Sequence, residues 1–204
     1  ANSRAFDVSG ITKDVENPPG GEFVRDADGN LTGFMKNNVA YMKVTSNYPA
    51  IADANPVDAL IGLLDKWGAL GLTTVSELSL GALSQTPADA QVMAAAAQTG
   101  RLKARIRAYP FYTLGADAWD EAGVSQGDGN ELARIAGYKL VADGSNQGFT
   151  GLQREPYLGT EDDRGLAYMS PEELTGVALE RAKKGWHLAI HGNGDAAIDN
   201  ILGT

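Results

Sequence analysis

Trp186-His-Leu-Ala-Ile-His-Gly-Asn-Gly-Asp195 carries both histidines of a 204-residue chain, four positions apart. Whether this stretch is helix or strand decides how the rest is read. On a helix, residues four apart lie on one face and can grip one metal ion. On a strand they also share a face, but at ~3.3 Å per residue they stand on the order of 13 Å apart, too far for a single ion. The stretch follows Lys183-Lys-Gly185, is apolar between its histidines and breaks at Gly192-Asn-Gly194, which predicts a strand over His187–Ile190. His191 then falls at the carboxyl end of that strand and His187 at the opposite end.

The preceding Ser170-Pro-Glu-Glu173 has the pattern of a capping box and predicts a helix to about Lys184. Further back, Gly137-Tyr-Lys-Leu-Val-Ala-Asp143, Lys103-Ala-Arg-Ile-Arg-Ala-Tyr109 and Leu72-Thr-Thr-Val-Ser-Glu77 read as strands. Helices are expected over Pro56–Trp67 with Asn55 as cap, over Pro87–Gln98, and briefly over Asn130–Ala136. Near the start, the turn clusters Pro18-Pro-Gly-Gly21 and Asp26-Ala-Asp-Gly-Asn30 flank Glu22–Arg25, and Leu31–Met35 follows, which predicts a small β-hairpin. Asp26, Asp28 and Asn30 imitate the start of a calcium loop, but the sixth position is Leu31 where that loop needs glycine, so a plain turn is expected.

Strands alternating with helices imply right-handed βαβ units and a parallel sheet, either a (β/α) barrel or an open doubly wound sheet. Both place chemistry at the carboxyl ends of strands, here Glu77, Tyr109, the 139–145 segment and His191.

Composition narrows the chemistry. Seventeen basic against 26 acidic residues give a formal charge of −9, which repels nucleic acid. With no cysteine in the chain, thiolate ligands and cysteine nucleophiles are excluded. No window approaches the roughly 18 apolar residues of a membrane span and the start is unlike a signal peptide, so a soluble, cytoplasmic protein is expected. The first residue is not methionine and the last lie just past a strand, so the chain is expected to be an interior piece of something larger.

Three residue groups carry candidate chemistry. His191 is either a metal ligand or a hydrogen-bonded loop histidine. Gly192-Asn193-Gly194-Asp-Ala-Ala197 also fits G-x-G-x-x-A between a strand and a helix, a dinucleotide fingerprint whose glycines and helix N-terminus would hold a pyrophosphate. Against that reading, it follows about the fourth strand rather than the first. Lys139 lies in the middle of an apolar strand, on one face with Val141 and Asp143. It is a Schiff-base nucleophile, a base or a carboxylated metal ligand, unless it simply pairs with Asp143 or reaches solvent.

The chain resembles the amidohydrolase superfamily, specifically the amidohydrolase-3 group with its N-substituted formamide deformylase-like enzymes. The likeness begins in Asn2-Ser-Arg-Ala and Ser9–Asp14, continues through Pro18–Gly21, Val24–Gly29 and Thr32-Gly33, and reappears in Gly71–Val75. It is strongest in Lys139-Leu-Val-Ala-Asp-Gly-Ser145, Glu155-Pro-Tyr157 and Ile190-His-Gly-Asn-Gly-Asp195. The resemblance implies a distorted (β/α)₈ TIM-type barrel, here α/β and partial (about strands 2–5) with the hairpin as an insertion. Residues 1–45 would be an N-terminal part of the catalytic domain and 46–204 the partial barrel.

It also implies one or two divalent ions, zinc first among them, that activate water against an amide or other non-peptide C–N bond of a small molecule. By position, Lys139 resembles the strand-four lysine, carboxylated when two metals are present, and His191 the strand-five ligand. Asp143 and Asp195 would orient those ligands. The family's His-x-His pair, sixth-strand histidine and eighth-strand aspartate have no counterpart, so this fragment is expected to be inactive alone. A part-barrel leaves sheet edges open, which implies self-association.

Overall fold

The computed structural model describes every residue except 19, 20, 37 and 49–52, together with the backbone but not the side chains of 38 and 39. Contacts divide the chain into two units, Ala1–Ala59 and Leu60–Thr204.

In the first unit, α1 (Ser3–Val8) is capped by Asn2, whose side-chain oxygen accepts the Ala5 N–H at 2.9 Å. The expected hairpin is present as β1 (Glu22–Arg25) and β2 (Leu31–Lys36), paired antiparallel. Its turn is built by Asp26, whose carboxylate accepts the N–H groups of Asp28 and Asn30; the acid folds its own loop, as a plain turn requires. Gly21 donates to the Pro18 carbonyl, while Pro19 and Gly20 of that turn cluster lie outside the described residues. Phe6, Ile11, Phe23 and Ala40, the last from α2 (Asn38–Thr45), form the core of this unit.

The helix α3 (Pro56–Ala69) contains the unit boundary. Asn55 caps it as expected, accepting from Val57 and Asp58, and Ile61 and Leu64 are buried; the helix passes Gly68 and stops before Gly71, which takes a positive φ. Then follow β3 (Thr74–Leu80), α4 (Ala88–Gln98), β4 (Arg105–Pro110), α5 (Ala116–Glu121), β5 (Ala133–Ile135), β6 (Tyr138–Val141), α6 (Pro171–Lys183), β7 (Leu188–His191) and α7 (Asp195–Leu202). The capping box of α6 is complete, with Ser170 and Glu173 exchanging hydrogen bonds.

All strand pairings here are parallel: β3 with β4, β4 with β5, and β6 with β7. A single bridge between Phe111 and Lys139 links the two sheets. Ile106 pairs with Ala133 and Phe111 with Lys139, so the register along the third strand slips by one residue between β5 and β6. Ala133 to Val141 is therefore one interrupted strand, bulged at Ala136-Gly137. Gly137 allows that bulge, because a methyl there would run into the His187 carbonyl and the Tyr109 ring.

One face of these strands is the core. Ile106, Ala108, Ala133, Ile135, Tyr138, Leu140 and Ala142 are buried. The other face carries Arg105, Arg107, Tyr109, Phe111, Lys139, Val141, Ala189 and His191, and of these only Lys139 is buried.

Two expectations need correction. Asn130–Ala136 is not a helix: Asn130 turns the chain by accepting from Leu132 and Ala133, and Ala133–Ile135 pair with β4. Glu77 is not a strand end either, because β3 runs on to Leu80 and Glu77 pairs with Ala108 on the core face. No helix of the described residues is long and apolar enough to cross a membrane.

Candidate functional site

The carboxyl ends of β6 and β7 bring the predicted site residues together. Partners in a parallel ladder project to the same side, and Val141 pairs with His191 while Lys139 pairs with Ala189. Lys139 and His191 are thus diagonal neighbours on one face, their Cα atoms about 8 Å apart from strand spacing and rise. His187 is at the other end of β7, exposed, with its N–H on Gln126 and its ring 6.3 Å from Tyr109. The two histidines are separated along one strand, as the strand reading requires.

Lys139 is 8% exposed, and among the described residues its ammonium reaches only the Leu140 carbonyl, at 2.9 Å. Burial without a counter-ion pushes its pKa down to about 8, because the charged form loses hydration that nothing replaces. The ion pair with Asp143 that the sequence allowed does not form.

Asp143 is instead consumed by backbone. It is fully buried; Oδ1 accepts the Asn193 N–H at 2.8 Å, and Oδ2 accepts those of Gly194 and Leu152, each at 2.7 Å. Asn193 closes the arrangement by donating its side-chain amide to the Gly144 carbonyl at 2.6 Å. One carboxylate thereby ties the loop after β6 to the turn that follows His191. Leu152 packs so tightly over that turn that a methyl on Gly194 would run into its carbonyl. Gly192 is less constrained, since a methyl there would meet only the side-chain ends of Ile201 and Ile198 of α7.

These contacts account for the G-x-G pattern without a nucleotide. The N–H groups that would cradle a pyrophosphate already donate to Asp143, and the small residues are needed for packing. Asp195 lies further out: its Oδ1 accepts the N–H groups of Arg154 and Ala196, while the Arg154 side chain forks onto Asp199 at 2.6 Å. Asp195 and Asp199 thus hold the same loop against α7.

Phe111 was not anticipated, since the predicted strand stops at Tyr109. The strand continues through Pro110, and the bridge to Lys139 sets Phe111 beside the lysine on the same face. The aromatic run Tyr109-Pro-Phe-Tyr112 at a strand terminus was the available signal. Leu152 and Asn193 act through backbone N–H groups, which no residue type announces.

Among the described residues, no three His, Cys, Asp or Glu side chains gather closely enough to hold a metal ion. Imidazole nitrogen and a lysine, the latter as a carbamate, suit part of a divalent ion's coordination.

Comparison with known proteins agrees with this architecture. The chain is 25% identical over 201 residues to Putative amidohydrolase YtcJ of Bacillus subtilis, covering 98% of this chain and 37% of that protein. It is 29% identical to Protein LONG AFTER FAR-RED 3 of Arabidopsis thaliana and 27% identical to N-substituted formamide deformylase of Arthrobacter pascens. Both matches cover 99% of this chain, but only 35% and 38% of those proteins, so the chain spans little more than a third of its relatives' length. Crystal structures of uncharacterized metal-dependent hydrolases from Pyrococcus furiosus and Pyrococcus horikoshii superpose with TM-scores of 0.68 and 0.69. They are 22% and 24% identical, cover 99% and 100% of this chain and 40% and 38% of theirs, and show the shared fold. The amidohydrolase family model matches residues 1–204, and the chain belongs to that family.

Proposed function

We propose that this chain is part of the (β/α) barrel of a metal-dependent amidohydrolase that cleaves amide or other non-peptide C–N bonds of small molecules. The observation that carries the reading is the placement of Lys139 and His191 on one face of adjacent parallel strands, with His191 at the carboxyl end of β7 and Lys139 two residues before the end of β6. His191 would offer an imidazole nitrogen and Lys139 a carbamate oxygen, to zinc in the first instance, as one ion or two. A divalent ion bound there supplies Lewis acidity to a carbonyl and makes water a nucleophile near neutral pH. Asp143 fixes the turn next to His191, so the imidazole is presented from a backbone with little freedom.

Two ligands are too few for tight binding, and the chain alone is proposed to bind zinc weakly, to lack hydrolase activity and to associate with itself. Zinc titration followed through the two imidazole resonances tests this. The expected result is a perturbation of His191 that His191→Ala removes and His187→Ala leaves intact. Equal response of both histidines, or none, would overturn the ligand assignment. Tight binding with measurable hydrolysis of an anilide would overturn the proposed inactivity.

A second reading draws on the buried amine, whose pKa near 8 leaves neutral lysine accessible for a Schiff base. Borohydride trapping of a carbonyl compound on Lys139 would favour it over the metal reading.

A further inference from the structure

Phe111 is held more firmly than a residue just past a strand end needs to be. Its N–H donates to the Leu80 carbonyl and its own carbonyl accepts from the Trp119 indole N–H, both at 3.1 Å. The bridge to Lys139 fixes its third side. Trp119 can come this close because residue 81 is glycine, where any side chain would strike the indole ring. The ring so positioned is only partly buried, and it is on the same face as Lys139 and His191.

Tyr112 extends this wall. The two rings are 5.0 Å apart and tilted by 54°, leaving one ring face and one ring edge at an angle to each other. Burial, and to a smaller extent the charge of Tyr168, holds the Tyr112 phenol above its usual pKa. Tilted aromatic pairs favour a third planar ring, which can stack on one member and meet the other edge-on. A saturated ring of the same size gains the burial but not the geometry.

We infer that Phe111, with Tyr112, forms a subsite beside Lys139 that selects amides bearing an aromatic ring. This rests on the placement of the reacting centre proposed above and adds the substrate class. Preorganised backbone makes the subsite a rigid wall, the arrangement expected of specificity groups. Phe111 is a specificity residue and takes no part in bond making.

The test uses the whole chain and two probes of matched size, phenylacetamide and cyclohexylacetamide, with binding followed by saturation-transfer NMR. Phenylacetamide is expected to bind several-fold more tightly. Phe111→Leu, which keeps apolar bulk, is expected to abolish the preference while the fold persists by circular dichroism; Tyr112→Ala is expected to reduce it. Equal binding of the two amides, no binding of either, or an unchanged preference in Phe111→Leu would overturn the subsite. Zinc response at His191 is read separately in each protein. A ring preference without a zinc response would keep the subsite and remove the metal reading, and the converse would keep the metal reading alone.

Discussion

The two ends of the β6–β7 pair bury charge in opposite ways. At the amino end, the guanidinium of Arg181 is fully buried and fully neutralised. It forks onto Asp120 with two bonds of 2.8 Å, reaches Glu180 at 2.7 Å and lies over the rings of Tyr138 and Trp186. Lys184 closes the network at 2.6 Å from Asp120 and 2.8 Å from Glu180. At the carboxyl end, Asp143 is satisfied by backbone alone and Lys139 by a single carbonyl. The amino end ties α5 to α6, and every charge there has its complement. The carboxyl end spends its anion on positioning a turn and leaves an amine underused, a division of labour that fits barrel enzymes, in which one rim holds and the other reacts.

The largest expected effect is at Asp143. Asp143→Ala removes the acceptor of one buried and two partly buried N–H groups; at about 1–3 kcal/mol for the buried one and less for the others, a loss of about 3 kcal/mol is expected from denaturant unfolding. A loss below about 1 kcal/mol would mean that the turn after His191 is held by packing, and the contrast between the two ends would lose its basis.

The amino end comes next. Arg181→Met keeps much of the volume against Tyr138 and Trp186 but removes the hub of the ion network. Asp120 and Glu180 are partly exposed and regain water, so a loss of about 2 kcal/mol is expected, below the cost of stranding a buried charge. The same network sets an acid limit. Hydrogen bonds from Arg181 and Lys184 hold the Asp120 carboxyl well below the usual carboxylate range. A group whose folded pKa is depressed stabilises the fold above its unfolded pKa and loses that contribution as pH falls below it. Stability should therefore drop below about pH 4 in the native chain, and Asp120→Asn should flatten that drop. An unchanged acid limb in Asp120→Asn would place the acid sensitivity elsewhere.

What the sequence revealed follows the range of the interactions. The strand at His187–Ile190 and the capping box at Ser170 were legible because glycine breaks, apolar runs and cap residues act within a few positions. Asn130–Ala136 was not, because its residues suit a helix and only pairing with β4, more than twenty positions away, makes it a strand. The short helix α5 was missed for a related reason: it is six residues long and is anchored by buried Trp119 rather than by periodicity. In the site, Lys139 was conspicuous as a charge in an apolar strand. Asp143 was visible as an acid, but its partners are nine to fifty-one positions away and are all backbone.

The smallest expected effect has the opposite sign and tests the carboxyl end most directly. Lys139→Met replaces a buried cation with an apolar chain of similar length. The ammonium has one carbonyl partner, and burial alone has lowered its pKa, so at neutral pH its charge costs the fold more than its hydrogen bond returns. Methionine keeps the contacts of the aliphatic stem and removes that cost, so a gain of about 1 kcal/mol is expected by denaturant unfolding at pH 7. The same change at a residue whose charge is neutralised, Arg181, is expected to be a loss. If Lys139→Met also destabilises, the amine has a partner it needs for folding and is no more available for chemistry than the arginine at the other end. If it stabilises, the fold carries a lysine at a cost in its own stability, as expected of residues kept for reaction rather than for structure.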